Sequence, residues 1–108
     1  MPERNVVEYL EGGVSPFGQW LHKLASQAAA KVATAVYRLE QGHSSNIKSV
    51  GQGVSEYKID FGPGYRIYFG QEGDLLIILL GGGTKKSQKR DINTAQRLWA
   101  QYKMSKKG

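Results

Sequence analysis

The chain has 108 residues, 40% of them hydrophobic, with no cysteine and two histidines. That length suits one domain, spanning 1–108, with a modest core; the composition excludes disulfides, thiolate metal sites and a cysteine nucleophile, and a His-rich metal site is not expected. The net charge of +6 is held unevenly: residues 81–108 carry eight Lys or Arg against Asp91 alone, while residues 1–80 carry seven basic and eight acidic side chains, an asymmetry that points to a polyanionic partner.

A short strand is predicted over residues 6–10, stopped by Gly12 and Gly13. Ser15 and Pro16 then read as a helix start, since serine caps free N–H groups and proline fits the first helical position. Phe17, Trp20, Leu21 and Leu24 follow at helical spacing. After a break near Ser26, the residues Ala29, Val32, Val36 and Leu39 make a second amphipathic helix with Gly42 as its stop. The two helices are expected to form a hairpin over a sheet.

From Val54 the period changes to two. Tyr57, Ile59 and Phe61 alternate with Glu56, Lys58 and Asp60; beyond the turn at 62–64, Tyr65, Ile67 and Phe69 alternate with Arg66 and Tyr68. A three-residue loop keeps one face wholly apolar and pairs Phe61 with Tyr65, which sets Asp60 opposite Arg66 and Lys58 opposite Tyr68. A third strand, 75–80, has no polar position and reads as buried on both faces. With a turn at 71–74, Leu79 comes beside Arg66, and the glycines at 81–83 leave the sheet at that end. A last helix is predicted from about Ser87, with Ile92, Ala95, Trp99 and Tyr102 as its apolar stripe and a frayed tail over 105–108. The fold class is therefore α+β: an N-terminal strand, a helical hairpin, an antiparallel three-strand meander and a C-terminal helix. No run approaches the ~18 apolar residues of a membrane span. The N-terminus has no long apolar segment to make a signal peptide, so a cytoplasmic location is expected.

This arrangement gathers cations at one rim of the sheet. Arg66, Lys85 and Lys86 are candidates to converge on one phosphate, the arginine as a planar fork and the lysines as point charges. Lys58 and Tyr68 lie one pair further along the same face, with the tyrosine placed to stack on a base. The glycines 81–83 offer backbone N–H groups for close approach by a polyanion. Plainer readings stand beside these: Arg66 as a cross-strand partner of Asp60, Lys85 and Lys86 as a solvated turn, and Lys89, Arg90 and Arg97 as a solvated helix face. No G-x-S-x-G, H-E-x-x-H or phosphate loop is present, because the run GGGTK at 81–85 lacks the required spacing.

The hairpin VSEYKIDFGPGYRIYF (54–69), followed by GGTKKSQKRDI (82–92), resembles the RelE/ParE toxin superfamily in its HigB-like, addiction-module-killer branch. The order of elements matches nearly the whole chain. The resemblance implies the toxin half of a type II toxin–antitoxin pair, many of whose members are ribosome-dependent endoribonucleases that cut messenger RNA without metal or cofactor. In them the ribose 2′-hydroxyl attacks the adjacent phosphate, leaving a cyclic phosphate and a free 5′-hydroxyl. Carried over, Arg66 matches the strand arginine at the scissile phosphate, Lys58 a basic position on the preceding strand, and Lys85 or Lys86 the basic residue after the last strand. Lys89, Arg90 and Arg97, with Tyr68, become candidate contacts to RNA or ribosome. The implied partners are messenger RNA, the ribosome and a cognate antitoxin, expected to be a helix-turn-helix protein. Asp60 stands where the archetype has a second lysine, and the archetype's tyrosine near the start of the last helix has no counterpart. A ParE-type gyrase inhibitor and a non-catalytic basic nucleic-acid-binding module are the alternatives.

Overall fold

The computed structural model describes residues 3–107; Met1, Pro2 and Gly108, the last being the end of the tail expected to fray, lie outside them. The fold is α+β, a five-stranded mixed sheet with three helices. In chain order the elements are β1 (Asn5–Glu8), α1 (Pro16–His22), α2 (Ser26–Glu40), β2 (Ile47–Ser49), β3 (Val54–Ile59), β4 (Tyr65–Glu72), β5 (Leu76–Thr84), a 3₁₀ turn (Lys85–Ser87) and α3 (Gln88–Lys107). The sheet order is β1-β5-β4-β3-β2. β1 runs parallel to β5, and every other neighbour is antiparallel.

The sequence signals act as physical chemistry dictates at the first helix. Ser15 Oγ accepts the Gly18 N–H at 2.8 Å, and Pro16 occupies the first turn of α1. One face of the sheet (Tyr57, Ile59, Ile67, Phe69, Ile77 and Leu79) packs against α1 and α2 through Phe17, Val32, Ala35 and Leu39. The other face packs against α3, with Val54, Tyr68, Ile78 and Leu80 meeting Ala95, Leu98 and Trp99. The inner strand β5 is therefore buried on both sides, as its unbroken apolar run requires.

Four local expectations are corrected. First, the β3–β4 loop spans five residues, 60–64, and the register is Ile59 with Tyr65, Lys58 with Arg66 and Glu56 with Tyr68. Gly62 and Gly64, at φ of 53° and 80°, supply the left-handed conformations of this loop, which the Gly64 N–H to Phe61 carbonyl bond closes at 3.0 Å. Second, Arg66 faces Gly83, not Leu79, because β4 continues to Glu72 and a bulge intervenes at Tyr68/Phe69. Third, the glycines 81–83 stay in the sheet as part of β5. A Cβ at Gly82 would run into the Trp20 ring from α1, and one at Gly83 into the Asp91 carboxylate from α3. Gly82 and Gly83 thus admit close helix packing on either face and are not open to a polyanion. Fourth, α3 is helical through Lys107. β2, too short and polar to stand out in the sequence, extends the sheet beyond the predicted meander.

Candidate functional site

The site lies on the α3 face of the sheet, at the rim where β4 begins and β5 ends. Cross-strand pairing puts Lys58 and Arg66 directly opposite each other, with their side chains on the same face. Arg66 is only 5% exposed. Its Nη1 donates to the Gly64 carbonyl at 2.8 Å. Its Nε lies 3.5 Å from Glu56 Oε1, yet it is buried and makes no hydrogen bond. A buried arginine with an unspent donor is costly unless a partner completes it.

Glu56 anchors this arrangement. It is 1% exposed, and its Oε1 accepts from Gln88 Nε2 at 2.8 Å, while Lys48 Nζ stands 3.7 Å from Oε2. One carboxylate thus ties β2, β3, β4 and the first residue of α3 together. The expected Asp60–Arg66 partnership is replaced by this buried pair. Asp60 lies in the loop, exposed, 3.5 Å from Lys58 Nζ. The importance of Glu56 was hidden in the sequence, where it is one more polar residue in an alternating strand. The available signal was indirect: the apolar stripe of the last helix must cover the face that carries Glu56.

Two adjoining surface hollows open at this rim. One, of about 380 Å³, is lined by Lys58, Asp60, Arg66, Lys85 and the loop glycines. The other, of about 340 Å³, is lined by Ser45, Asn46, Lys48, Glu56, Lys58 and Arg66, among others. Together they present Lys48, Lys58, Arg66 and Lys85 against two carboxylates, Glu56 and Asp60. The arrangement suits an anion with several oxygens, gripped by one fixed fork and by mobile point charges.

The structure separates Lys85 from Lys86. Both sit on the 3₁₀ turn, where consecutive side chains project about 120° apart. Lys85 reaches the Arg66 hollow. Lys86 lines a broader groove of about 820 Å³ with Lys89, Arg90, Thr84, Asn93 and Thr94. Arg97 joins neither, pairing instead with Glu11 at 3.0 Å. Tyr68 is a correction: it is fully buried between the sheet and α3, so its ring is closed to a base. Burial first, and then the nearby carboxylates of Glu56 and Asp91, push its hydroxyl well above the usual phenol range; the oxygen faces the Glu56 carboxylate without a well-formed hydrogen bond among the described residues. His43, in the loop before β2, is exposed and lines neither hollow.

Among the described residues no helix is long and apolar enough to cross a membrane. No family model matches the chain. An uncharacterized protein of Haemophilus influenzae is 43% identical to it over 83 residues, covering 76% of this chain and 84% of that protein. The chain belongs to one family with that protein.

Proposed function

We propose that the chain is a RelE-like toxin of a type II toxin–antitoxin pair, acting as a ribosome-dependent messenger-RNA endoribonuclease. The observation that carries this reading is the convergence of Lys58 and Lys85 on Arg66, a buried arginine with an unspent donor, in one hollow. Arg66 and Lys85 grip the scissile phosphate and offset the charge that builds on it. Lys58 is about half exposed and paired only with the loop residue Asp60, which leaves it free to approach the ribose 2′-hydroxyl as base. The 2′-hydroxyl gives its proton to Lys58 as its oxygen attacks phosphorus, the bond to the 5′ oxygen breaks, and that oxygen leaves with a proton taken from solvent. Lys86, Lys89 and Arg90, in the neighbouring groove, dock on ribosomal RNA. The cognate antitoxin, a helix-turn-helix protein, silences the toxin by covering the basic rim with an acidic segment.

One observation favours a second reading, a non-catalytic nucleic-acid binder. Neither hollow is lined by a histidine or a tyrosine to protonate the leaving oxygen, and Tyr68 is sealed in the core.

Induced expression followed by mapping of message ends tests the choice. The endoribonuclease reading expects growth arrest with new 5′-hydroxyl ends, both lost in Arg66→Lys, which keeps a cation beside Glu56 but removes the fork. Intact messages with DNA damage point to gyrase. RNA binding without arrest leaves only the binder.

A further inference from the structure

We propose that Lys48 forms a second phosphate subsite beside Arg66, so that a single RNA strand lies across the strands of the sheet. This inference rests on the RNA reading of the Arg66 hollow and extends it onto β2.

Lys48 lies opposite Glu56, and Lys58, two residues on, lies opposite Arg66. Residues paired across antiparallel strands, and residues two apart on one strand, share a face. Lys48, Lys58 and Arg66 therefore stand on one face of three adjacent strands, and Lys85 follows β5 on the same rim. With strands about 4.8 Å apart, the row from β2 to β5 covers roughly 14 Å. One strand supplies each cation; Lys48 stands two residues to one side of the Lys58–Arg66 pair and Lys85 two residues beyond Gly83 on the other, so the row runs diagonally across the strands.

The hollow on the β2 side is built, not incidental. Asn46 forms its wall and is fixed to β3 twice: its carbonyl accepts the Lys58 N–H at 3.1 Å, and its Nδ2 donates to the Lys58 carbonyl at 3.2 Å. Ser45, Asn46, Lys48 and Lys58 surround the opening, and Arg66 lines it from below, its buried Nε facing Glu56 without a hydrogen bond. Glu56 does not hold Lys48 in reserve for structure alone. Its Oε1 already serves Gln88 and Arg66, and the remaining contact to Lys48 is 3.7 Å long, with the lysine side chain 66% exposed. Such a lysine can turn toward a phosphate while Gln88 and Arg66 continue to hold the buried carboxylate. β2 is also an edge strand, so a strand of RNA that crosses the rim leaves the protein without obstruction.

The test is titration of the full chain with two RNAs carrying 2′-O-methyl groups, which cannot be cut: a dinucleoside monophosphate, with one phosphate, and a tetranucleotide, with three. Affinities are measured across a range of salt concentrations. Lys48→Ala is expected to weaken tetranucleotide binding three- to tenfold near 0.1 M salt and to reduce the slope of log K against log salt by about 0.7, the value for one phosphate contact on a single strand. Binding of the dinucleoside monophosphate should be unchanged. Lys48→Arg should retain the slope. Lys106→Ala removes an equal charge next to Glu72, at the far end of α3, and should leave both affinities as they were. A Lys48→Ala variant with wild-type slope and affinity overturns the subsite, as does an equal loss in Lys106→Ala. If the wild-type chain binds neither RNA, the RNA reading of the Arg66 hollow has failed, and the subsite falls with it.

Discussion

The buried Glu56–Arg66 pair predicts a specific pattern of coupling. Arg66→Met keeps the bulk of the side chain and deletes the guanidinium, stranding a carboxylate that is 1% exposed. Gln88 still donates to it and Lys48 still stands nearby, so the cost falls at the lower end of the range for breaking a buried pair, about 3 kcal/mol. Glu56→Gln leaves Arg66 with the Gly64 carbonyl as its one hydrogen-bond acceptor and costs about 2–3 kcal/mol. The double variant strands no charge and should cost about 3 kcal/mol, so the two singles exceed it by roughly 2–3 kcal/mol when summed. Urea denaturation reads this directly. With a slope of about 1.5–2 kcal/mol per molar urea, each single variant moves the midpoint by about 1–2 M. Free energies that add to within ~0.5 kcal/mol would refute the coupling. RNA titration of the same variants separates stability from function. Glu56→Gln should bind at least as tightly as wild type, having lost a competing negative charge. Arg66→Met and the double variant should both bind weakly. A double variant that recovers binding would show that Arg66 serves Glu56 and not a phosphate.

Two further outcomes follow from the core. The raised pKa of Tyr68 means that the folded state holds the phenol proton more tightly than the unfolded chain does. Its contribution is fully present below the unfolded value near pH 10 and is lost as pH rises from there toward the folded pKa, at up to about 1.4 kcal/mol per pH unit. Denaturation curves between pH 9 and 11.5 should therefore fall less steeply for Tyr68→Phe; equal slopes would contradict the assignment. At pH 7 the same variant should change stability by less than about 1 kcal/mol, because the hydroxyl makes no well-formed hydrogen bond among the described residues. Gly82→Ala drives a methyl group into the Trp20 ring, an overpacking that costs about 1–3 kcal/mol. It should lower Tm by roughly 5–15 °C and shift the tryptophan fluorescence; an unchanged Tm would show that α1 yields freely.

The alternation of residues 54–69 assigns the side chains of β3 and β4 to their faces, yet it places Asp60 and Phe61 in the strand and misidentifies the partner of Arg66. The reason is parity. A two-residue shift in register moves no side chain to the other face, so burial cannot distinguish Asp60 from Lys58 opposite Arg66. The decision lies in the backbone of the 60–64 loop, where Gly62 and Gly64 take left-handed φ values. The glycines at 81–83 were ambiguous for a related reason. A missing side chain fits a ligand's approach and a helix's approach equally well, and only the positions of Trp20 and Asp91 reveal the second. Lys85 and Lys86 read as one pair because sequence proximity carries no direction, whereas the 3₁₀ turn sends them to different hollows.

The resulting electrostatics differ from a plain basic patch. The charge asymmetry of the sequence locates eight Lys or Arg beyond residue 80, but of those whose side chains are described only Lys85 reaches the Arg66 hollow. The other cations of the site, Lys48, Lys58 and Arg66, come from residues 1–80, which are nearly neutral. There each has an acidic neighbour: Glu56 for Lys48 and Arg66, Asp60 for Lys58. An anion must displace the exposed, weak contact of Asp60 to Lys58 and the long contact of Lys48 to the buried Glu56, while the Glu56–Arg66 pair is buried and stays. Asp60 thus competes directly with substrate for Lys58. Asp60→Asn should tighten RNA binding about two- to fivefold at low salt, an advantage that shrinks as added salt screens the exposed pair. A variant that binds no better than wild type would mean that Lys58 does not meet the phosphate, and the cation row would then be broken at its centre.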